Sequence, residues 1–328
     1  MDNYKLYDAF EHLCTDAFPD NATRGTVAVI TAYFDATYNN PKGDSTEPPL
    51  YTLAAYVGTR ANWRKFRKEW RTELAKKSLE YFHMTDFEFA RSQSIAGKEI
   101  PKSSPFYGWT ESEFIPFLQK LHRVINRKDK NSTYRLFSQA SHIIKPDFDE
   151  LKPDELKDDV QCRSYYVFNV VQILMAVAVW ADSQNYHDPI HYVFANGDGE
   201  GGNLERLFME MWDNPVTKNR FRLSKGYSLM PYGIEWMKGE PALQAADITA
   251  YEMHKSTLTW IKRGLGDMPK DELRKSISSL CRTEHHGLLY RKKELLESFA
   301  DILADYHNKR KFLQKSQLNQ RSNHENEN

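Results

Sequence analysis

Hydrophobic residues near the start of the chain occur in two runs separated by turn-forming residues, a pattern typical of a β-hairpin. Residues 27–37, VAVITAYFDAT, are rich in β-branched and aromatic side chains and carry Asp35 near their end. Residues 38–49 are rich in Asn, Pro, Gly and Asp, and residues 50–57, LYTLAAYV, form the second apolar run. Two such runs predict two antiparallel strands joined by a long polar loop.

The rest of the chain alternates between helical and extended patterns. Four large apolar side chains recur at helical spacing over residues 61–77: Trp63, Phe66, Trp70 and Leu74. Further helices are predicted over residues 111–125, 165–181, 203–212, 241–261 and 288–314, and further strands over residues 79–84, 132–140 and 190–195. Helices and strands that alternate after an opening hairpin predict an α/β fold, a mixed sheet flanked by helices.

Polar segments separate these elements and suggest the domain boundaries. Residues 90–110 are rich in Ser, Lys, Gly and Pro and predict an exposed loop, and residues 147–159 hold seven acidic residues against two lysines and predict a solvated linker. The predicted units are an N-terminal helical segment (1–25), a main domain (26–263), a C-terminal helical extension (264–314) and a disordered tail (315–328).

The apolar segment 165–181 and the cysteine content indicate in which cellular compartment the protein is expected. This segment is shorter than the ~20 residues of a bilayer span and contains Asn169 and Gln172, so it predicts a buried central helix and no membrane partner. The three cysteines lie far apart and predict no disulfide framework, and the N-terminus has acidic residues and no apolar run. We expect a cytoplasmic protein.

Charge is balanced overall but uneven along the chain. Lys+Arg and Asp+Glu both number 45, which excludes a globally basic nucleic-acid coat. Residues 60–77 nevertheless carry eight basic and two acidic side chains. This helix face could hold a phosphate backbone, or it could be a solvated face without a partner. The candidate nucleic-acid-binding residues are Arg60, Arg64, Lys65, Arg67, Lys68 and Arg71.

Several acidic residues occur where solvated charge is unexpected. Asp35 lies in the most apolar strand, Asp86 follows the strand predicted at 79–84, and Asp247 stands between Ala246 and Ile248 in an apolar helix. Burying an isolated carboxylate is costly, and acids that converge at strand ends can share divalent cations such as Mg²⁺. Alternatives remain open for each: a turn cap, a helix N-cap, and a buried acid bonded to a neighbouring Tyr or Arg.

Two further segments carry candidate chemistry. Asp198 and Glu200 lie in the loop GDGEGG, which follows a strand and opens a helix. Two acids in this loop would repel a pyrophosphate and no Lys-Ser/Thr follows, so an acid-presenting turn is favoured over a nucleotide cradle. His83 could move a proton or orient substrate, because histidine changes charge near neutral pH, or it could be a packed strand histidine. His285 and His286 are predicted to lie at the surface.

Four segments in order resemble the family catalogued as domain of unknown function 3800. They are YFDAT at 33–37, FHMTDF at 82–87, YVFANGD at 192–198 and PALQAADITAYE at 241–252, the last of which matches a late-helix L-Q-x-A-D motif. The resemblance implies a ribonuclease H-like fold and Mg²⁺- or Mn²⁺-dependent phosphodiester hydrolysis of nucleic acid. It places Asp35 and Asp247 as metal ligands most securely. It adds Asp198, Glu200 or Asp86 as further acids, and His83 as a neighbour of the site.

The chain departs from this family pattern at two places. Ala36 and Thr37 follow Asp35 where Glu-Ser is common, and Ala195 stands where the strand usually carries an acid. Asp198 or Glu200 would then have to replace the missing carboxylate. Two alternatives therefore stay open: an inactive relative that binds nucleic acid or a protein partner, and a metal-dependent phosphoryl enzyme acting on small nucleotides. DNA versus RNA and the oligomeric state, including a homo-oligomer through the C-terminal helix, are left open.

Overall fold

The computed structural model describes residues 30–39, 47–126, 136–196, 201–223, 232–264, 280, 284–304 and 306–307. Within these residues the chain forms a six-stranded sheet with helices on both faces. The strands are β1 (Ile30–Tyr38), β2 (Leu50–Thr59), β3 (Phe137–Ile144), β4 (Ile190–Ala195), β5 (Tyr232–Glu235) and β6 (Glu284–Tyr290).

The strand order across the sheet is β5-β4-β1-β2-β3-β6. β1 and β2 are antiparallel, with Tyr33 opposite Tyr56, and β2 and β3 are antiparallel as well. β4 is parallel to β1, β5 to β4, and β6 to β3. The predicted hairpin and mixed sheet are thus confirmed. Because β1, β4 and β5 run parallel, their carboxyl ends lie at the same end of the sheet.

The helices within the described residues are α1 (Arg60–Ala75), α2 (Met84–Ile95), α3 (Glu111–Ile125), α4 (Lys145–Leu151), α5 (Tyr165–Ser183), α6 (Gly201–Asp213), α7 (Pro215–Arg220), α8 (Pro241–Lys262) and α9 (292–304). Five of them, α1, α3, α5, α6 and α8, begin and end within two residues of the predicted bounds, whereas α2, α4 and α7 were not predicted as helices. The four apolar residues of α1 are buried, as their spacing predicts. Thr110 and Glu113 form a capping box that begins α3 at the predicted residue.

Two apolar layers enclose the sheet. On one face, α1, α2, α3 and α8 bury a cluster that includes Tyr33, Tyr56 and Val193. On the other face, α5 and α6 cover Phe34, Leu53 and Phe194. α5 is long and apolar enough to cross a membrane, but 67% of its most apolar window is buried within the protein. It packs as the buried central helix that the sequence predicts.

Three sequence predictions are wrong at the level of elements. Residues 79–83 are not a strand but an irregular segment leading into α2, which also occupies the first part of the loop predicted at 90–110. The linker predicted at 147–159 contains α4 and a short 3-10 turn, because Phe148 and Leu156 are buried. The helix predicted from residue 288 begins only at residue 292, since residues 284–290 form β6.

Other predictions lie wholly or partly outside the described residues. These are the N-terminal helical segment, the disordered tail, residues 132–135 of a predicted strand and the loop with Asp198 and Glu200. The boundary predicted at residue 263 stays a prediction, although β6, which follows it, belongs to the same sheet as β1.

Candidate functional site

Asp35 is buried on the face of the sheet that α8 covers. Side chains alternate along a strand, so Asp35 shares a face with Tyr33, which packs in the cluster that contains Ala246 of α8. The residue opposite Asp35 is Ala54, which packs against Ala250 of α8. Only 5% of Asp35 is exposed. Asp35 is therefore buried, as its position in an apolar strand predicts.

Asp247 is buried more deeply, in α8. Its exposure is 3%, and its Oδ2 accepts a hydrogen bond of 2.6 Å from the backbone N–H of Met84. Burial raises the pKa of Asp247 from 3.8 to about 6. The proximity of His83 and the Met84 N–H oppose this rise in pKa, and the Asp86 carboxylate adds to it. Among the described residues, the hydrogen-bond partner of Asp247 is therefore a backbone N–H and not a Tyr or Arg side chain.

His83 and Asp86 lie at the start of α2, beside Asp247. His83 is the N-cap residue of that helix, and its Nδ1 lies 3.1 Å from Asp86 Oδ2. Both side chains are partly exposed, 35% and 42% respectively. His83 is thus not a packed strand histidine, and Asp86 lies in the first turn of α2. The structure brings together three of the predicted site residues: His83, Asp86 and Asp247.

Gln244 fixes this junction from α8, and the sequence reasoning missed it. Its Oε1 accepts hydrogen bonds from Trp70 Nε1 at 2.8 Å and from the backbone N–H of Phe82 at 3.0 Å. Its Nε2 donates to the carbonyl of Met237 at 2.9 Å. Gln244 and Asp247 lie three residues apart on the same helix and together hold the backbone from Phe82 to Met84. The Q of the L-Q-x-A-D motif was the available signal.

A partly buried ion pair links α1 to the start of α8. Arg67 Nε lies 3.0 and 3.1 Å from the two carboxylate oxygens of Glu240, and its Nη2 also donates to Tyr33 Oη. Glu240 accepts from the N–H of Ala242 and so caps α8. Arg67 therefore stabilises the fold beside Asp35, and its guanidinium is already bound to a carboxylate.

The other predicted cations of α1 are more accessible. Four of them form an exposed stripe at helical spacing: Arg60, Arg64, Lys68 and Arg71. Lys65 is half-buried. The basic face is therefore present, although Arg67 is half-buried and paired with Glu240.

The carboxyl ends of the parallel strands carry a further acid. The pairing of Phe34 with Phe194 places Ala195 level with Asp35 on the neighbouring strand. Ala195 is in turn in register with Glu235 of β5, a half-buried residue that the sequence reasoning missed. Asp198 and Glu200 lie outside the described residues.

The predicted surface histidines differ from each other. His286 is exposed as predicted, but His285 is mostly covered and its Nδ1 lies 2.6 Å from Ser138 Oγ. Burial lowers the pKa of His285 to about 4. The surface prediction is therefore wrong for His285, because β6 carries it against β3.

Among the described residues, no group of three or more His, Cys, Asp or Glu side chains has a metal-binding arrangement.

Comparisons with protein-family models, curated proteins and solved structures found no match to the chain. The function of buried Asp35 and of the group formed by His83, Asp86 and Asp247 therefore rests on their chemistry alone.

Proposed function

We propose that this protein hydrolyses phosphodiester bonds of nucleic acid at a divalent-metal site, on a fold of the ribonuclease H-like type. The observation that carries the proposal is Asp247, a buried carboxylate whose pKa is raised to about 6. It shares the α8 side of the sheet with buried Asp35. Carboxylates are rarely buried without a partner, and a buried carboxylate with a shifted pKa is a candidate for chemistry.

A divalent cation suits the carboxylates that are present. Asp35 and Asp247 offer hard oxygen ligands, and Mg²⁺ commonly binds one or two carboxylates together with waters and substrate phosphates. Burial keeps the pKa of Asp247 raised despite the nearby His83 and the Met84 N–H, and a divalent cation would stabilise the charged form of this carboxylate. Asp35 and Asp247 would hold Mg²⁺ or Mn²⁺, with Asp198 or Glu200 as further ligands. When bound, such a cation activates water and stabilises the leaving oxygen.

The remaining residues would position the substrate and the acids. Gln244 holds Phe82 against α8 and so keeps His83 and Asp86 beside Asp247. The exposed cations of α1 would bind phosphates without reading sequence. The half-exposed His83–Asp86 pair could then orient a phosphate or a water at the edge of the site.

A second candidate function follows from Ala195. This residue stands level with Asp35 where the resembling sequences carry an acid. If no other carboxylate replaces it, the protein would bind nucleic acid or a protein partner without cleaving it.

The test is cleavage of labelled DNA, RNA and RNA–DNA hybrid while Mg²⁺ or Mn²⁺ is titrated. We expect metal-dependent cleavage that falls by at least about 100-fold in Asp35→Asn and in Asp247→Asn, because each removes a charged oxygen ligand. Asp301→Asn, an exposed acid on α9, is the matched control and should keep full activity.

The outcomes separate the candidates. Binding without cleavage under either metal supports the second function. Cleavage that persists in both active-site variants contradicts the proposal, as does a crystal soaked in Mn²⁺ whose anomalous peak lies away from Asp35 and Asp247. Cleavage of free nucleotides alone would favour a small-nucleotide enzyme.

A further inference from the structure

A large exposed aromatic side chain lies at the end of the sheet that carries the candidate site. Trp236 directly follows β5 and is 70% exposed. Glu235, the residue before it, is in register with Ala195, which stands level with Asp35. Two strand spacings of about 4.8 Å separate β5 from β1, so the backbones of Trp236 and Asp35 lie on the order of 10 Å apart.

The backbone around Trp236 is held by hydrogen bonds. The carbonyl of Trp236 accepts from the N–H of Gly239 at 3.0 Å, and the carbonyl of Met237 accepts from Gln244 Nε2 at 2.9 Å. α8 begins at the end of this turn. An exposed indole on a fixed backbone offers a large flat surface and loses little conformational entropy when a ligand stacks on it.

Positive charge flanks the same turn. Lys238 is exposed, with its Nζ 4.7 Å from the centre of the Tyr81 ring. Arg67 of α1 binds Glu240 at the other end of the turn, so its helical neighbours Arg64 and Arg71 lie on the adjacent surface. An aromatic surface beside cations is the combination that single-stranded nucleic acid recognises, through stacked bases and bound phosphates.

We propose that Trp236 is a stacking platform for an unpaired base, and that the preferred ligand is therefore single-stranded nucleic acid. A duplex has its base faces already stacked, so it would gain nothing from the indole. The inference rests on the proposed function for its substrate class, but the binding step needs only Trp236 and the nearby cations.

The experiment measures binding by fluorescence anisotropy in EDTA, so that no cleavage intervenes. The probes are a labelled oligothymidine single strand and a labelled blunt duplex. We expect Trp236→Leu to weaken single-strand binding by about 5- to 100-fold and to leave duplex binding unchanged. Trp236→Phe should retain most of the affinity. Tyr107→Leu removes another exposed aromatic, in the segment between α2 and α3, and should have no effect.

Three results would overturn the inference: no single-strand binding by the wild type, equal loss for both probes in Trp236→Leu, or no loss for either. Failure of the two proposals can be told apart. Trp236-dependent binding of single strands without any metal-dependent cleavage would sink the nuclease proposal and keep this one. Cleavage that requires Asp35 and Asp247, with single-strand affinity unchanged in Trp236→Leu, would support the nuclease proposal and reject the stacking role of Trp236.

Discussion

The environment of Asp247 opposes its ordinary negative charge. Its carboxyl is buried, and the hydrogen bond from the Met84 N–H offsets only part of the desolvation, since the pKa remains raised to about 6. A residue chosen for stability alone would be neutral here. The charged form of Asp247 is therefore costly to the stability of the fold, which agrees with the role proposed for it.

Replacing Asp247 with Asn should stabilise the metal-free protein at high pH. The folded-state pKa of about 6 lies above the usual aspartate value of 3.8, so the favourable contribution of this carboxyl to stability is complete below pH 3.8 and is lost as the pH rises through 6. At pH 8 we expect Asp247→Asn to be more stable by about 1–3 kcal/mol, because Asn can still accept the Met84 N–H. At pH 4 the gain should nearly vanish. Urea unfolding in EDTA measures the stability of wild type and variant at both pH values. A variant that is no more stable than the wild type at pH 8 would contradict this prediction.

At the scale of elements, α8 organises the site by holding a segment that has no regular structure. Gln244 binds the N–H of Phe82 and Asp247 binds the N–H of Met84, so two side chains of one helix replace the strand partner that residues 79–83 lack. The same contacts fix where α2 begins. The position of His83 therefore depends on α8 more than on its own local sequence.

Gln244→Leu should loosen this segment and destabilise the protein by about 2–4 kcal/mol. It leaves two buried donors, Trp70 Nε1 and the Phe82 N–H, without their acceptor, at about 1–3 kcal/mol each. Hydrogen exchange of residues 82–87 should accelerate more than exchange elsewhere. The control is Thr249→Val, a substitution on the same helix as Gln244. It removes a buried hydrogen bond from Thr249 to Tyr56 of β2. Unchanged protection at residues 82–87 would refute this role of Gln244.

These contacts also explain how far the sequence could predict the structure. The helix at 61–77 was predictable because its core positions follow a local period of 3.6, and the hairpin because two apolar runs flank a turn-rich loop. Residues 79–83 also look like a strand locally, but their backbone partner is Gln244, more than 160 residues away. β6 was not predicted for the same reason, because its pairing with β3 joins residues that are far apart in the sequence.

The candidate site was predictable where burial alone was the signal. Asp35 and Asp247 stand in apolar sequence and are buried, as expected. Gln244 and Glu240 look like ordinary polar residues, and only the packing of α1 against α8 gives them partners. Ion pairs and amide contacts between distant elements leave no periodic pattern, so Arg67 was counted as a surface cation.

At the scale of the whole molecule, buried histidines make stability depend on pH. Thr52 Oγ1 lies 2.9 Å from His142 Nδ1 and 3.1 Å from His254 Nδ1, between β2, β3 and α8. Burial lowers the pKa of His142 to about 3 and that of His254 to about 4. Both rings are therefore neutral in the folded protein throughout the physiological range.

Acid should destabilise the protein through these rings. The folded pKa of His142 lies below the unfolded value of 6.5, so stability is unaffected above that pH and is lost as the pH falls toward 3. Between pH 6.5 and 5, each ring should cost about 2 kcal/mol. In urea unfolding, His142→Gln should lose about 2 kcal/mol less stability than the wild type between pH 6.5 and pH 5. His286→Gln, an exposed ring, should leave it unchanged. Equal pH dependence in wild type and His142→Gln would show that this ring is not responsible.

The balanced total of 45 basic and 45 acidic residues conceals a stripe of cations on one helix. Arg64, Lys68 and Arg71 are exposed on α1, whose Arg67 is anchored to Glu240 beside the proposed site. Each phosphate contact on a single strand contributes about 0.7 to the slope of log affinity against log salt, so replacing all three with Gln should lower that slope by about 2. A triple control, Lys102→Gln, Lys120→Gln and Arg123→Gln, removes the same net charge from exposed positions elsewhere. If binding is local to α1, the control keeps the wild-type slope. If both triple variants lower the slope equally, attraction to the whole molecule is responsible and the α1 face is not the binding surface.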